Sequence, residues 1–402
     1  MTLSPSAPRV AVLAGARTPI GRFGGSLRGH AAPELGAVAA RAAVERAGLR
    51  PADIEEVVFG HGIQAGVGQN PARQVLRATG VPDAVGAVTV NMVCGSGMKA
   101  LQLGAALVRA GEFDRLLVGG MESMSNAPFL VDGAVRWGVR PGARSLEDAM
   151  QRDALLDAYD EHELMGFTGE RIATKLGLSR ADVDRFGLRS HRRAAAAVAD
   201  GTFDAEIAPV PPDPARGLPG LARDETPRAD TTVEGLARLP PAFLPSGVLT
   251  AGNSSKLSDG ASALVLASER EVERRGLSPL AWLHSSGEGG VAPKDVMEAP
   301  IPTVRHHLER TGLHPADFDR VEHNEAYASA SIAVQRAFGF AEDRFNVHGG
   351  AIALGHPIGS SGARIVVTLA YELARANGRL GLATLCMGGG NGLSVVLERG
   401  LA

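Results

Sequence analysis

The chain predicts an α/β protein made of two similar halves with a looser segment inserted between them. Apolar strand-like runs alternate with helical periodicity through both ends of its 402 residues, the pattern of a mixed or parallel sheet covered by helices. A five-element passage around Cys94 recurs in the same order around Gly355 to Gly362. Between the two copies, from about Asn126 to Thr250, Pro, Arg and Asp become frequent and the sheet-like pattern fades. The length also exceeds the ~250–300 residues at which single cores split, so two or more lobes are expected.

Taken in order, residues 9–16 form a short buried strand that ends in a turn. Residues 31–47 carry Leu35, Val38, Ala39, Ala42 and Ala43 at helical spacing and stop at Gly48. Residues 54–59 are again strand-like. The first copy of the repeat is a strand at 87–92, then Cys94-Gly95-Ser96-Gly97, a helix at 98–109, a strand at 115–118 and Gly119-Gly120. In the insert, residues 178–199 are helical with Ser179 set to cap them, and 208–228 lie mostly on the surface. Sheet pattern resumes at 261–267, and 318–321 is a further strand. The second copy runs from 345–347 through the turn 355–362, a helix at 363–376 and a strand at 381–385 to Gly388-Gly389-Gly390.

Composition excludes several function classes. A net charge of −3 makes no electrostatic case for nucleic acid or an anionic membrane, and 4% aromatics leave little material for stacking bases. The best apolar run is interrupted by Asn91, Lys99 and Gln102, short of the ~18–20 residues that span a bilayer. Two cysteines cannot frame so long a chain with disulfides, which points to a reducing compartment. No basic leader opens the chain and Arg399-Gly400-Leu401-Ala402 is no targeting signal, so a cytoplasmic location is expected. No CxxC, HExxH or ligand-spaced cluster appears, so no metal is expected, and the glycine pairs fit neither a dinucleotide fingerprint nor a P-loop.

Both cysteines sit where a strand gives way to glycine. Cys94 precedes a small-residue turn and a helix start, where free amides favour a thiolate; the plain alternative is a small core residue at a tight turn. Cys386 opens Cys386-Met387-Gly388-Gly389-Gly390. His356, fixed by Pro357 in a turn before a helix, suits activation of a nearby thiol, or else is held by a loop carbonyl. Glu322-His323-Asn324-Glu325 stands at a strand end, where α/β sheets bind ligands, although Asn324 could equally cap the next helix.

In this order, several stretches closely resemble the thiolase family: 14–21, 91–100, 119–125, 249–259, 324–326, 346–364 and 382–392. The resemblance implies a five-layer αβαβα core. It divides the chain into an N-terminal half (1–125 with 251–275), a coenzyme A-binding loop domain (126–250) and a C-terminal half (276–402). It implies acyl transfer between coenzyme A thioesters, with coenzyme A and acyl-CoA as substrates, no tightly bound cofactor, and a homodimer or homotetramer in which residues 136–150 form a contact. Cys94 would carry the acyl group, His356 would activate it, and Cys386 would handle the α-proton. Asn324 would hold a water in one oxyanion hole, and the amides of Cys94 and Gly388 would form the other. Ser255, Met165, Arg228 and Arg238 would contact coenzyme A. Leu164, Lys256, Tyr327 and Val296 depart from the family pattern near the substrate. The rival reading is a cysteine hydrolase of Cys94, His356 and Asn324, which leaves Cys386 idle.

Overall fold

The structure, a computed structural model, describes residues 8–159 and 162–400. Leu401 and Ala402 of the terminal tetrapeptide therefore lie outside the described residues. In chain order the main elements are β1 (Val10–Arg17), α1 (Ala32–Arg46), β2 (Glu56–His61), α2 (Pro71–Thr79), β3 (Gly86–Val90), α3 (Ser96–Ala110), β4 (Arg115–Ser123), α4 (Met165–Lys175), α5 (Arg180–Ala199) and β5 (Ser258–Ser268). They continue with β6 (Ala281–Gly290), α6 (Pro300–Thr311), β7 (Arg320–His323), α7 (Ala328–Phe338), α8 (Ile358–Arg375), β8 (Leu380–Met387) and β9 (Asn391–Glu398).

The repeat read from the sequence is a repeat of topology. The first half orders its strands β3-β2-β4-β5-β1, the first two neighbour pairs parallel and the others antiparallel. The second half orders β7-β8-β9-β6 with the matching directions. Residues 345–347, expected as a strand, make a single parallel bridge from Phe345 to Val321, in the place that β3 takes beside β2. The halves join where β1 and β6 pair through Val10↔Leu283, Ala11↔Trp282 and Val12↔Ala281 only. Past that corner the two sheets part and enclose α3 and α8.

Side-chain alternation along the strands fills the layers. Leu35, Ala39, Val57, Phe59, Val75, Leu117 and Val265 form one core between α1, α2 and the outer face of the first sheet. Their neighbours Val58, Val118 and Leu264 face inward and join Met98, Leu101, Ile365, Leu369, Leu385 and Val395 in the central layer. Leu382 and Val396 face outward from the second sheet against Val304, Leu308, Ala328 and Val334 of α6 and α7. The result is five layers, αβαβα. Every residue from Ile358 to Ala370 is buried, the polar Ser360, Ser361, Arg364 and Thr368 included; each large aliphatic side chain so buried contributes about 1.5–3 kcal/mol.

The 208–228 passage is mostly exposed, but Ala208, Val210, Asp224 and Thr226 are buried and anchor it. Asp224 and Glu206 pair with the fully buried Arg17 at 2.7 and 2.6 Å. Two buried carboxylates on one guanidinium satisfy a charge that would otherwise be costly inside the core. Ser179 caps α5 by accepting from the Asp182 amide. No helix among the described residues is long and apolar enough to cross a membrane.

Glycine sets the spacing of the central layer. A Cβ on Gly97 would lie 2.9 Å from the Ala363 nitrogen, and one on Gly362 would lie 2.7 Å from the Met98 nitrogen. One on Gly120 would lie 2.1 Å from the Gly359 carbonyl oxygen. Gly120→Ala should therefore lower stability by ~1–3 kcal/mol, as overpacking does. Gly133→Ala, whose added methyl meets nothing within 4 Å, should stay within ~0.5 kcal/mol. Urea midpoints of the two variants check this contrast.

Candidate active site

The site forms where the starts of α3 and α8 meet the ends of β8 and β7. Ahead of α3, the chain leaves β3 through a short turn at Val93–Gly95. Val93 stands at φ +48, a left-handed conformation that costs a β-branched residue roughly 1–3 kcal/mol. Its neighbours hold it there. The Val93 amide donates to Asn91 Oδ1 at 3.0 Å, and Ser96 Oγ donates to the Val93 carbonyl at 2.7 Å. Cys94 is thereby fixed, half-buried, at the helix start.

Cys386 approaches from the end of β8. It is 3% exposed, with its sulfur 3.8 Å from the Met297 sulfur. The two cysteines are free thiols, Cys94 half-buried and Cys386 buried. The amide dipoles of Gly388 and of Cys94 itself favour the charged form of the Cys94 sulfur. Burial nonetheless dominates and pushes the Cys94 thiol up to about 12, with the neighbouring Cys386 adding to the rise. Cys386 is pushed up to about 12 by its own burial. The thiolate expected from the helix start is not the resting form, because desolvation outweighs the amide donors.

His356 lies in the turn between residues 351–354 and α8, its amide bonded to the Lys256 carbonyl at 2.9 Å. Its Nδ1 is 2.6 Å from Ser361 Oγ, which itself donates to the Pro357 carbonyl. That Oγ therefore accepts from Nδ1–H and leaves Nε2 as the basic nitrogen. Nε2 is buried and meets no hydrogen-bond partner among the described residues. Burial, helped by the Arg364 charge, pushes the imidazole down to about 4, so it is neutral near pH 7. Two residues on, Ile358 packs in one cluster with Val93 and Cys94.

Asn324 follows β7 and is wholly buried; both its side-chain oxygen and nitrogen lack a hydrogen-bond partner among the described residues. It is no helix cap, since Tyr327 occupies the cap of α7. Beneath it Glu322 and Arg364 form a buried pair at 3.5 Å, and burial pushes Glu322 up to about 8. Beside Cys386 an apolar cluster gathers Ile172, Val296, Met297 and Ala326, with Met165 and Tyr327 packed against it. Tyr327 stands edge-on to Phe243 at 5.7 Å. Ser255, half-buried, donates its amide to the Ala326 carbonyl.

The fold thus gathers Cys94, Cys386, Gly388, His356, Asn324, Met165 and Ser255 around one junction. Arg228 and Arg238 are exposed. The Arg228 charge still reaches Lys256 and, with burial, helps push that amine down to about 8. Arg238 touches none of the group. Sequence reasoning gave no role to Ser361, Met297 or Asn91, all of which hold the site in place. Ser361 was findable, lying one helical turn beyond His356.

The starts of α3 and α8 bring a thiol and a neutral imidazole together near the end of β8, where a second, unbonded thiol stands. Residues 10–270 match the thiolase N-terminal domain model, and residues 277–399 match the thiolase C-terminal domain model. The chain is 46% identical over 391 residues to the acetyl-CoA acetyltransferase of Pseudomonas aeruginosa, covering 97% of this chain and 99% of that one. It is 45% identical over 388 residues to an Escherichia coli acetyl-CoA acetyltransferase, covering 96% and 98%. The crystal structure of the Bacillus anthracis acetyl-CoA acetyltransferase superposes with a TM-score of 0.95 at 38% identity, covering 98% of this chain and 100% of that chain. The chain belongs to the thiolase family.

The neutral thiol and imidazole give the site a particular pH response. A base at His356 would be lost only below its depressed value of about 4. The acid limb of kcat/KM should therefore fall well below the ordinary histidine range of ~6.5, leaving a flat profile from about pH 5.5 to 8. Initial rates across that interval check it; an acid limb centred near pH 6.5 would contradict a buried neutral His356.

Proposed function

We propose that this protein catalyses the reversible Claisen condensation of coenzyme A thioesters, acyl-CoA plus acetyl-CoA giving 3-oxoacyl-CoA plus coenzyme A. Membership of the thiolase family supports this reaction, and two adjacent thiols that do not bond carry it. One thiol must hold the acyl group while the other moves a proton, so one cysteine cannot serve both steps. A hydrolase of Cys94, His356 and Asn324 would have no use for Cys386.

In this reading Cys94 Sγ attacks the thioester carbonyl and passes its proton to His356 Nε2. The departing coenzyme A thiolate takes the Cys386 proton, leaving acyl-Cys94 and a Cys386 thiolate. That thiolate removes the α-proton of acetyl-CoA. The enolate carbon attacks the acyl-Cys94 carbonyl, the C–S bond breaks, and Cys94 recovers its proton from His356. Thiolysis runs the same steps backwards. Developing negative charge on oxygen needs fixed donors, each worth ~3–4 kcal/mol. Asn324, through a water held with His356, and the amides of Cys94 and Gly388 are the groups we assign to it. No resident metal or cofactor enters these steps; coenzyme A and its thioesters are substrates.

We assign Ser255 and Met165 to the pantetheine arm, and Arg228 and Arg238 to the adenine and phosphate end. The division of the chain into 1–125 with 251–275, 126–250 and 276–402 serves this reading, since the middle part supplies both arginines and Met165. A cytoplasmic location fits these substrates.

A homodimer or homotetramer is part of the same reading. β3 is an edge strand with Val88 46% exposed, an unpaired edge that a second copy would cover. Phe129, Trp137, Val139 and Leu146 expose a second apolar patch, Trp137 to 85%. Trp137→Ser with Leu146→Ser should reduce a tetramer to dimers in sedimentation velocity, with turnover kept in the dimer.

The proton assignment is tested with Cys386→Ala. Thiolysis of acetoacetyl-CoA should fall by at least ~10³-fold, while acetylation of Cys94 by acetyl-CoA persists in intact-mass spectra. Full turnover in this variant would overturn the mechanism.

A further inference from the structure

Two residues outside the assigned set join the turn that carries Cys94 to the turn that carries His356. Glu122, in β4, is wholly buried. Its Oε2 accepts from the Gly62 amide at 3.1 Å and from the Gly359 amide at 2.9 Å. Its Oε1 accepts from the Ile63 amide at 3.3 Å and lies 3.1 Å from His61 Nε2. Gly359 is the second residue of α8, three residues past His356, so the carboxylate also sits against the positive end of that helix. Four donors converge on two oxygens, which a carboxylate satisfies and an amide, with a single oxygen and two N–H donors of its own, does not.

Gly62 continues the connection. Its carbonyl accepts from Asn91 Nδ2 at 2.8 Å, and Asn91 Oδ1 takes the Val93 amide at 3.0 Å. Val93 is the left-handed residue directly before Cys94. An unbroken path therefore runs Cys94–Val93–Asn91–Gly62–Glu122–Gly359–His356. Packing leaves no room for slack along it. A Cβ on Gly359 would stand 2.4 Å from the Met121 carbonyl oxygen and 2.9 Å from the Gly62 nitrogen.

We propose that Asn91 and Glu122 are positioning residues that brace the Cys94 turn against the His356 turn and so set the distance over which the thiol proton is transferred. The inference rests on the thiol–imidazole reading above. It predicts one device with two ends, whose loss misplaces the reacting groups without altering coenzyme A binding.

The test measures Cys94 alkylation by iodoacetamide, followed by peptide mass, beside acetoacetyl-CoA thiolysis in the full-length protein. Glu122→Gln should slow Cys94 alkylation near neutral pH by ~10-fold or more and shift its pH profile to the alkaline side. It should lower kcat by ~10–100-fold with KM for coenzyme A within ~3-fold. Asn91→Ala should do the same to a smaller degree. The double variant should lose little more than Glu122→Gln alone, because both ends act through one path. Losses that multiply, or a lower melting temperature with normal alkylation and kcat, would overturn the brace and leave two packing residues. Should Glu122→Gln not fold, Asn91→Ala at the exposed end decides alone: normal Cys94 alkylation there overturns the proposal. Iodoacetamide reads the thiol without any thioester, so the two readings fail separately. Slowed alkylation in the variants of a protein that performs no thiolysis would sink the proposed reaction and keep the brace.

Discussion

The rest of the structure depends on how closely two helices approach. α3 and α8 are the paired members of the duplication, and they cross at Gly97 and Gly362, where each backbone lies against the other with no side chain between. That contact brings two helix starts to one point. It also sets the thickness of the central layer, against which both sheets pack through Val118, Leu264, Leu385 and Val395. Separate the helices by one methyl group and the strands flanking them lose their common core. Cys94 precedes one of these helices and His356 the other, so the distance between the thiol and the imidazole is a packing distance.

Enclosure in that layer decides the electrostatics. A helix start and two amides favour a thiolate, yet burial keeps Cys94 and Cys386 protonated and His356 unprotonated. Neutral partners carry a low desolvation cost when no substrate is bound. In the proposed mechanism charge arises only as a thioester is attacked, and fixed donors meet it without reorganising. Asn324 and His356 Nε2, buried polar groups without a hydrogen-bond partner among the described residues, lie within this enclosure.

Legibility in the sequence followed the range of the forces. Ser179 as a cap, the helix read at 31–47 and found at 32–46, and the strand read at 115–118 and found at 115–123 rest on neighbours a few residues apart, and periodicity with turn chemistry exposed them. Residues 345–347 looked like a strand yet make one bridge, because Asn346 turns left-handed at φ +46 and meets His323 through its side chain instead of its backbone. Cys94, Cys386, His356 and Asn324 were visible because glycine and proline mark rigid turns, and the family pattern joined them. Glu122 stayed silent: a glutamate at the end of an apolar strand says nothing about four donors arriving from residues 61–63 and 359.

Residue order alone was enough for the duplication, the alternation of strands and helices, the turn chemistry around both cysteines and the family. Those properties are local or repeated, and local dihedral preference and apolar periodicity write them directly into the chain. Folding in three dimensions settled the charge states of the thiols and imidazole, the path through Glu122 and Asn91, and the anchoring of Asp224 on Arg17. Each of these is a balance between burial and partners that the fold brings together, and neither quantity exists until the layers close.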